Sequence, residues 1–462
     1  MKIFNKNNLK LAGFICALAW VYSCLPAFAV EPAQLQFSGD GKTIPINQGS
    51  GYENDWGYPH WSMGSSFGKW IDGSVALFVD GEDMGIRLSS DIVVGGIEKI
   101  GKNNKFTVLL QDGHRITMTD GATVNANVST LAIQGGELAG GPIHVTGSSS
   151  VRLGDGADLQ DTTDNTIAGV TVSSGVLELG KADNIIAMSG EITVTGGWVT
   201  FVNSNQIPDK SGVVVNGGNV ALLNGSSQRC ASLLLLDGAV YLSDGATLEL
   251  ASSQTEALVM QRATINAPMA TIKLATDSTQ TIRFDGSQAG TAQISGTLEL
   301  GGGEKVFLIE DGEDMVDMRI SGAISESAPS SLIKRGAGAL EVHGTLSHTG
   351  HTIVESGILS LSDTSTITFR VTAKGISNAI MGNEEGAVFV NGTFVFDMSD
   401  APKNAGMKWK VVDMDALQAS AFLDDFKIEG FVKTTDNIWT NQIGTVNYEF
   451  DTSSGTLSGT EK

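Results

Sequence analysis

Four glycines, Gly175, Gly197, Gly218 and Gly238, recur 22, 21 and 20 residues apart, each inside the same apolar frame. Five and three residues before them lie Val170 and Val172, Ile192 and Val194, Val213 and Val215, Leu233 and Leu235. Two and four residues after them lie Leu177 and Leu179, Val199 and Phe201, Val220 and Leu222, Val240 and Leu242. All sixteen flanking positions are apolar, and the residues between them are mostly small or polar. A period of two, a glycine corner and a second period of two describe two short strands per unit, each burying one face. Glycine suits the corner because it tolerates positive φ and close backbone approach. A unit of about 20 residues cannot bury its own apolar face, but stacked units make a continuous core. The repeat therefore predicts an all-β parallel solenoid in which each turn adds about 4.8 Å.

The register reaches further. Gly136 has Leu131 and Ile133 before it and Leu138 after it; Gly338 is framed by Ile333, Leu340 and Val342, and Gly357 by Val354, Leu359 and Leu361. Asp-Gly-Ala corners at Asp120, Asp155, Asp237 and Asp244 have tight-turn chemistry. The repeat loosens between about 251 and 330, where Ser295 to Leu300 keeps one corner. A glycine-rich antiparallel sandwich would also alternate, but the steady 19–22 residue spacing and only 9 prolines favour the solenoid. Glycine reaches 57 of 462 residues without recurring every third position, which excludes collagen. A hydrophobic share of 41% excludes wholesale disorder.

The first 29 residues read as an export signal. Lys2, Lys6 and Lys10 precede an apolar stretch from Leu11 to Leu25, and Ala27-Phe28-Ala29 is a small-x-small cleavage site between Ala29 and Val30. A second reading takes Val21-Tyr22-Ser23-Cys24 as a lipobox with Cys24 lipidated. All 51 acidic residues lie beyond position 30, so cleavage takes the formal charge from -22 to 26 − 51 = −25. A body this acidic repels phosphate backbones, and a nucleic-acid partner is not expected. No later stretch is long enough for a helical membrane span. Of the three cysteines, only Cys230 remains after cleavage, so no internal disulfide is expected and a buried apolar role is.

From Leu332 the chain resembles a known family. Leu332-Ile333-Lys334-Arg335-Gly336-Ala337-Gly338-Ala339-Leu340-Glu341-Val342-His343-Gly344 is similar to the first half of an autotransporter-associated β-strand repeat. Thr349, Gly350, Val354, Gly357 and Leu359 follow in register with the second half, with His348 in place of an aromatic residue and His351 in place of a glycine. Weaker echoes lie at Trp70–Phe78, Ile97–Gly101 and Asn447–Leu457. The resemblance implies a right-handed parallel β-helix of the kind used as an autotransporter passenger outside a Gram-negative cell. Such proteins end in an outer-membrane barrel of amphipathic strands of about ten residues. No such series follows residue 376 here, so export by other machinery, or retention in the periplasm, is expected.

The expected organisation is a signal peptide (1–29), an N-terminal cap with the first strands (30–100), β-helix repeats (101–375) and a small C-terminal mixed-β module (376–462). Within the module, Ala416 to Phe422 is read as a short helix. Residues 30–80 hold Trp56, Tyr58, Trp61, Phe67, Trp70 and Phe78, which suit a cap over the first turn. Trp56, Tyr58, Trp61 and Trp70 are also the candidate ligand surface, since aromatic faces stack on sugars.

Other candidates weigh less. Phe78–Met84 and Ile309–Met315 share an acidic phrase that fits no calcium-loop spacing, so solvated turns are expected. His343, His348 and His351 are read as surface histidines rather than metal ligands. Asp161 with Asp164, and Asp424 with Asp425, are the nearest carboxylate pairs for acid–base chemistry. No nucleophile elbow, zinc-protease or phosphate-loop motif is present. The sequence reading is a secreted or surface-displayed, non-enzymatic solenoid with a structural or adhesive role. It needs no cofactor or metal, its partners are export machinery and an extracellular ligand such as a glycan or host surface, and the alternative is a glycan-active lyase or glycosidase.

Overall fold

The computed structural model describes residues 34–37, 61–62, 67–68, 70–78, 85–88, 90–100, 105–154, 161–251, 256–276, 278–402 and 406–461. Of 34–37, 61–62, 67–68, 85, 87, 111 and 112 it describes the backbone only. The described chain is all-β, a solenoid of parallel stacked coils.

Each coil has three faces. On the first, Ile143, Val170, Ile192, Val213, Leu233, Leu258, Ile282 and Phe307 pair in succession. On the second, Val151, Leu177, Val199, Val220, Val240 and Ile265 do the same. On the third, Gln228, Leu248, Ile272, Leu298, Ile324, Leu346, Ile367 and Phe394 are aligned. Alternation puts one side of each strand into the core. Val172, Val194, Val215, Leu235, Met260, Phe284 and Ile309 form one such column, every member fully buried. The repeat expected from sequence had two strands per unit; the third face is additional. It was hidden because its strands begin at varying distances from the glycine corner.

The glycine corners stack directly. A Cβ built on Gly197 would lie 2.3 Å from the Gly175 carbonyl oxygen, and one on Gly238 2.0 Å from that of Gly218. Gly197 and Gly238 also have φ of +69° and +112°. The coils thus approach at the corner more closely than any side chain allows. Gly238→Ala is expected to destabilise by about 3 kcal/mol or more, combining steric overlap with left-handed strain. A denaturant midpoint unchanged from wild type would contradict this.

The domain boundary expected near 376 is not a break. Gly357–Leu361 pairs with Gly386–Val390, which pairs with Ala419–Phe422, all in parallel. Thr366–Arg370, Thr393–Asp397 and Lys427–Ile428 likewise extend the third face. Ala416 to Phe422 is therefore not a helix: pairing of Ala419–Phe422 with Ala387–Val390 overrides its local pattern. Residues 376–462 are mixed β as expected: these parallel strands are accompanied by a five-stranded antiparallel sheet. The sheet joins Lys408–Lys410, Val432–Lys433, Ile438–Ile443, Val446–Asp451 and Thr456–Glu461.

This sheet covers the last coils through an aromatic cluster. Phe450 is fully buried against Phe394, Phe396, Phe422 and Phe426 at centroid distances of 5.6–6.3 Å. Stacked coils end in an open apolar core, and the cluster covers it. At the other end, Gln34–Phe37 pairs in parallel with Val75–Phe78 and antiparallel with Trp61–Ser62.

Candidate functional surfaces

The family-like segment builds a corner around a buried amine. Lys334 stands in an inward column between Phe307 and Val354, a position apolar in the preceding coils. Its side chain is fully buried, and its Nζ donates to the carbonyls of Arg335 (3.0 Å), Gly336 (2.8 Å) and Ser356 (3.0 Å). An ammonium has three N–H donors, and here each has an acceptor. Burial lowers its pKa to about 8, with Asp317 opposing the shift. Lys334 thus fastens a turn to the coil above it. Leu340, Val354 and Leu359 are fully buried beside it, and Thr349 Oγ1 donates to Glu326. Gly336, Gly338, Gly344, Gly350 and Gly357 lie against carbonyls of the preceding coil. These residues do structural chemistry.

A second buried cation serves another corner. Lys181 Nζ lies 2.6 Å from Asp161 Oδ1, with both side chains at most 2% exposed. It also donates to Gly136 O at 3.3 Å, while Asp161 Oδ2 accepts from Gly135 N at 2.9 Å. The amides continue the pattern: Lys181 N donates to Gln206 Oε1 and Gln206 N to Gln228 Oε1, each at 2.8 Å. Asn165 Oδ1 accepts from Leu138 N at 2.9 Å. These side chains act where the third face has no strand, between Thr166–Ile167 and Ser227–Cys230. Buried backbone donors require partners, and the amides supply them.

Asp161 is therefore committed to an ion pair, and Asp164 accepts from Ile186 N at 2.7 Å on the surface. Asp425 exchanges hydrogen bonds with Asn391 at 3.0 and 3.3 Å. Asp161, Asp164 and Asp425 thus each hold a structural partner. His348 is not the surface residue expected: it is 1% exposed and bonded through Nε2 to Thr352 Oγ1 at 3.0 Å. Its coil folds the ring into the interior at the position the family pattern gives an aromatic residue. His343 pairs with Glu341 at 2.9 Å and His351 is exposed, so the three do not converge. Among the described residues no cluster of His, Cys, Asp or Glu has the makings of a metal site. Cys230 is 1% exposed, and burial, with Asp209 nearby, pushes its pKa up to about 12. A thiol held protonated in the core is a poor nucleophile.

The aromatic residues divide. Trp56 and Tyr58 lie outside the described residues, as does the side chain of Trp61. Trp70 packs against the core and donates from Nε1 to Val93 O at 3.1 Å, the behaviour of a cap residue. Of the shared acidic phrase, 79–84 also lies outside. In the second copy, the Gly312 N–H donates to Asp317 Oδ1 at 2.8 Å.

The outer surface carries register-matched ion pairs between coils. Arg152 with Glu178, Arg319 with Glu341, and Lys273 with Glu299 are direct cross-strand partners at 2.6, 2.6 and 3.0 Å. Each is worth at most about 1 kcal/mol, but all favour the same register. The second face also bears a feature not foreseen from sequence. Trp198 and Tyr241, 37% and 38% exposed, stack with centroids 5.4 Å apart and planes 27° apart. The repeat contained the signal, since both occupy outward positions beside the corner glycines Gly197 and Gly238.

No family model, curated protein or solved structure matches this chain.

Proposed function

We propose that this protein is an exported structural rod of the autotransporter-passenger type, displayed outside the cell in a non-enzymatic, adhesive role. The observation that supports it most is the parallel coil-to-coil pairing that, among the described strands, runs from Gln34–Phe37 to Lys427–Ile428. A quasi-one-dimensional stack with a closed end holds its lateral faces at fixed spacing over its whole length. The export-signal features of residues 1–29 and the repeat-like segment at 332–359 give the same reading. Protease treatment of intact host cells tests it. Digestion of the protein with an intact outer membrane is expected; digestion only after permeabilisation would overturn display.

A second reading, a glycan-active enzyme, draws on an open cleft of about 500 Å³ on the second face, lined by Glu384, Glu385, Phe389 and Gln418 among others. Turnover of a polysaccharide that is lost in Glu384→Gln or Glu385→Gln would replace the non-enzymatic reading.

A further inference from the structure

We propose that the Trp198–Tyr241 pair is the stacking platform of a binding site for a neutral glycan chain. The inference names a ligand class for the adhesive rod and rests on that reading for its biological setting.

The two rings arise from strands separated by one coil, so they lean together over the strand between them. Trp198 is the register partner of Asn219, and Ala221 is that of Tyr241. Thr200, Ala221 and Ala239 point outward from the same face yet are only 7–9% exposed. Small residues there leave room for the rings to lie across the sheet. Large aromatic side chains on a lateral face of otherwise small and polar residues expose apolar surface that a solvated rod does not require.

The surroundings select the ligand. Asn219 stands beside Trp198, and Asn266 is the register partner of Tyr241, so amides flank the rings along the stack. Along this face Glu178 is paired with Arg152, and Arg262 with Asp237 at 3.2 Å. An ionic ligand would have to displace one of these partners. A neutral pyranose presents apolar C–H bonds to an aromatic ring and hydroxyls to neighbouring amides. The acidic chain further disfavours sulfated or uronic glycans. Because the platform sits on a sheet that continues from coil to coil, an extended chain fits it better than a single sugar.

The test uses the purified full chain and calorimetric titration with cellohexaose, chitohexaose and laminarihexaose, with polygalacturonate and tetramethylammonium as charged controls. Saturable binding of at least one neutral oligosaccharide is expected, weakened about tenfold or more in Trp198→Ala and in Tyr241→Ala. Trp198→Phe is expected to retain part of the affinity. Far-UV circular dichroism on each variant establishes that the fold is kept, and either alanine variant suffices if the other is unstable. Binding unchanged in both variants, binding only of a charged control, or no binding of any neutral oligosaccharide would overturn the proposal. Protease shaving of cells reads display alone, so failure there leaves the titration result standing and the reverse also holds.

Discussion

Lys181→Met is expected to destabilise the coils around residues 135–206 by about 3–5 kcal/mol, because it leaves the Asp161 carboxylate buried without its cation. The pair sits at 2.6 Å in the interior, and Asp161 also holds the Gly135 amide. A buried carboxylate that loses its partner must either take up a proton or draw in water. Both outcomes loosen the corner that Lys181 joins to Gly136. The double variant Asp161→Leu with Lys181→Met is expected to recover much of the loss, since replacing both charges removes the desolvation cost together with the attraction. Hydrogen exchange over residues 135–206 reads the effect locally, which matters in a stack where coils open as separate units. A single variant as protected as wild type would show that the pair contributes little.

Acidification is expected to destabilise the protein through His348 before most carboxylates titrate. Thr352 Oγ1 donates to Asn378 Oδ1 at 2.8 Å, so it accepts from His348 Nε2–H, and Nδ1 is left bare. Buried Nδ1 has no partner, so a proton added there would create an unsatisfied N–H in the core. Burial accordingly lowers the pKa from the ordinary 6.5 to about 4. Above pH 6.5 both folded and unfolded forms are neutral, and the full stability is present. Between 6.5 and 4 the unfolded chain takes the proton and the folded one does not, so stability falls with pH. The total loss is about 3 kcal/mol, and below pH 4 this contribution is level. His348→Gln keeps a donor for Thr352 without titrating. Its stability should be flatter across that window, and an equally steep profile in the variant would assign the acid response elsewhere.

The sequence made the stacked architecture legible because inward residues are apolar in nearly every coil. Gly175, Gly197, Gly218 and Gly238 do form one stacked corner column, and the sixteen flanking residues line two of the three faces. The third face was not legible for a physical reason. Between Thr166–Ile167 and Ser227–Cys230 its backbone is satisfied by side-chain amides such as those of Gln206 and Gln228 rather than by strand pairing, so no apolar alternation marks it. His348 was misplaced for a related reason: a polar residue at an inward position looks like a surface residue until its partners from the next coil are known. The continuation past 376 was obscured by aromatic enrichment, which reflects the closing end rather than a new domain. The Trp198–Tyr241 contact needed the register of a coil two units away.

Register-matched stacking also makes the molecule's length an independent variable. Leu233 pairs with Leu258, Tyr241 with Asn266 and Leu248 with Ile272, so each of these residues has its counterpart in the following coil. Joining Ser232 directly to Leu258 would remove one complete coil, set Val215 against Met260 and Cys230 against Leu274, and leave every inward column continuous. Deletion of a fraction of a coil would instead bring corners over strands. Rods of this type can therefore be shortened or extended only in whole increments of about 4.8 Å, which gives the distance between their ends a discrete set of values.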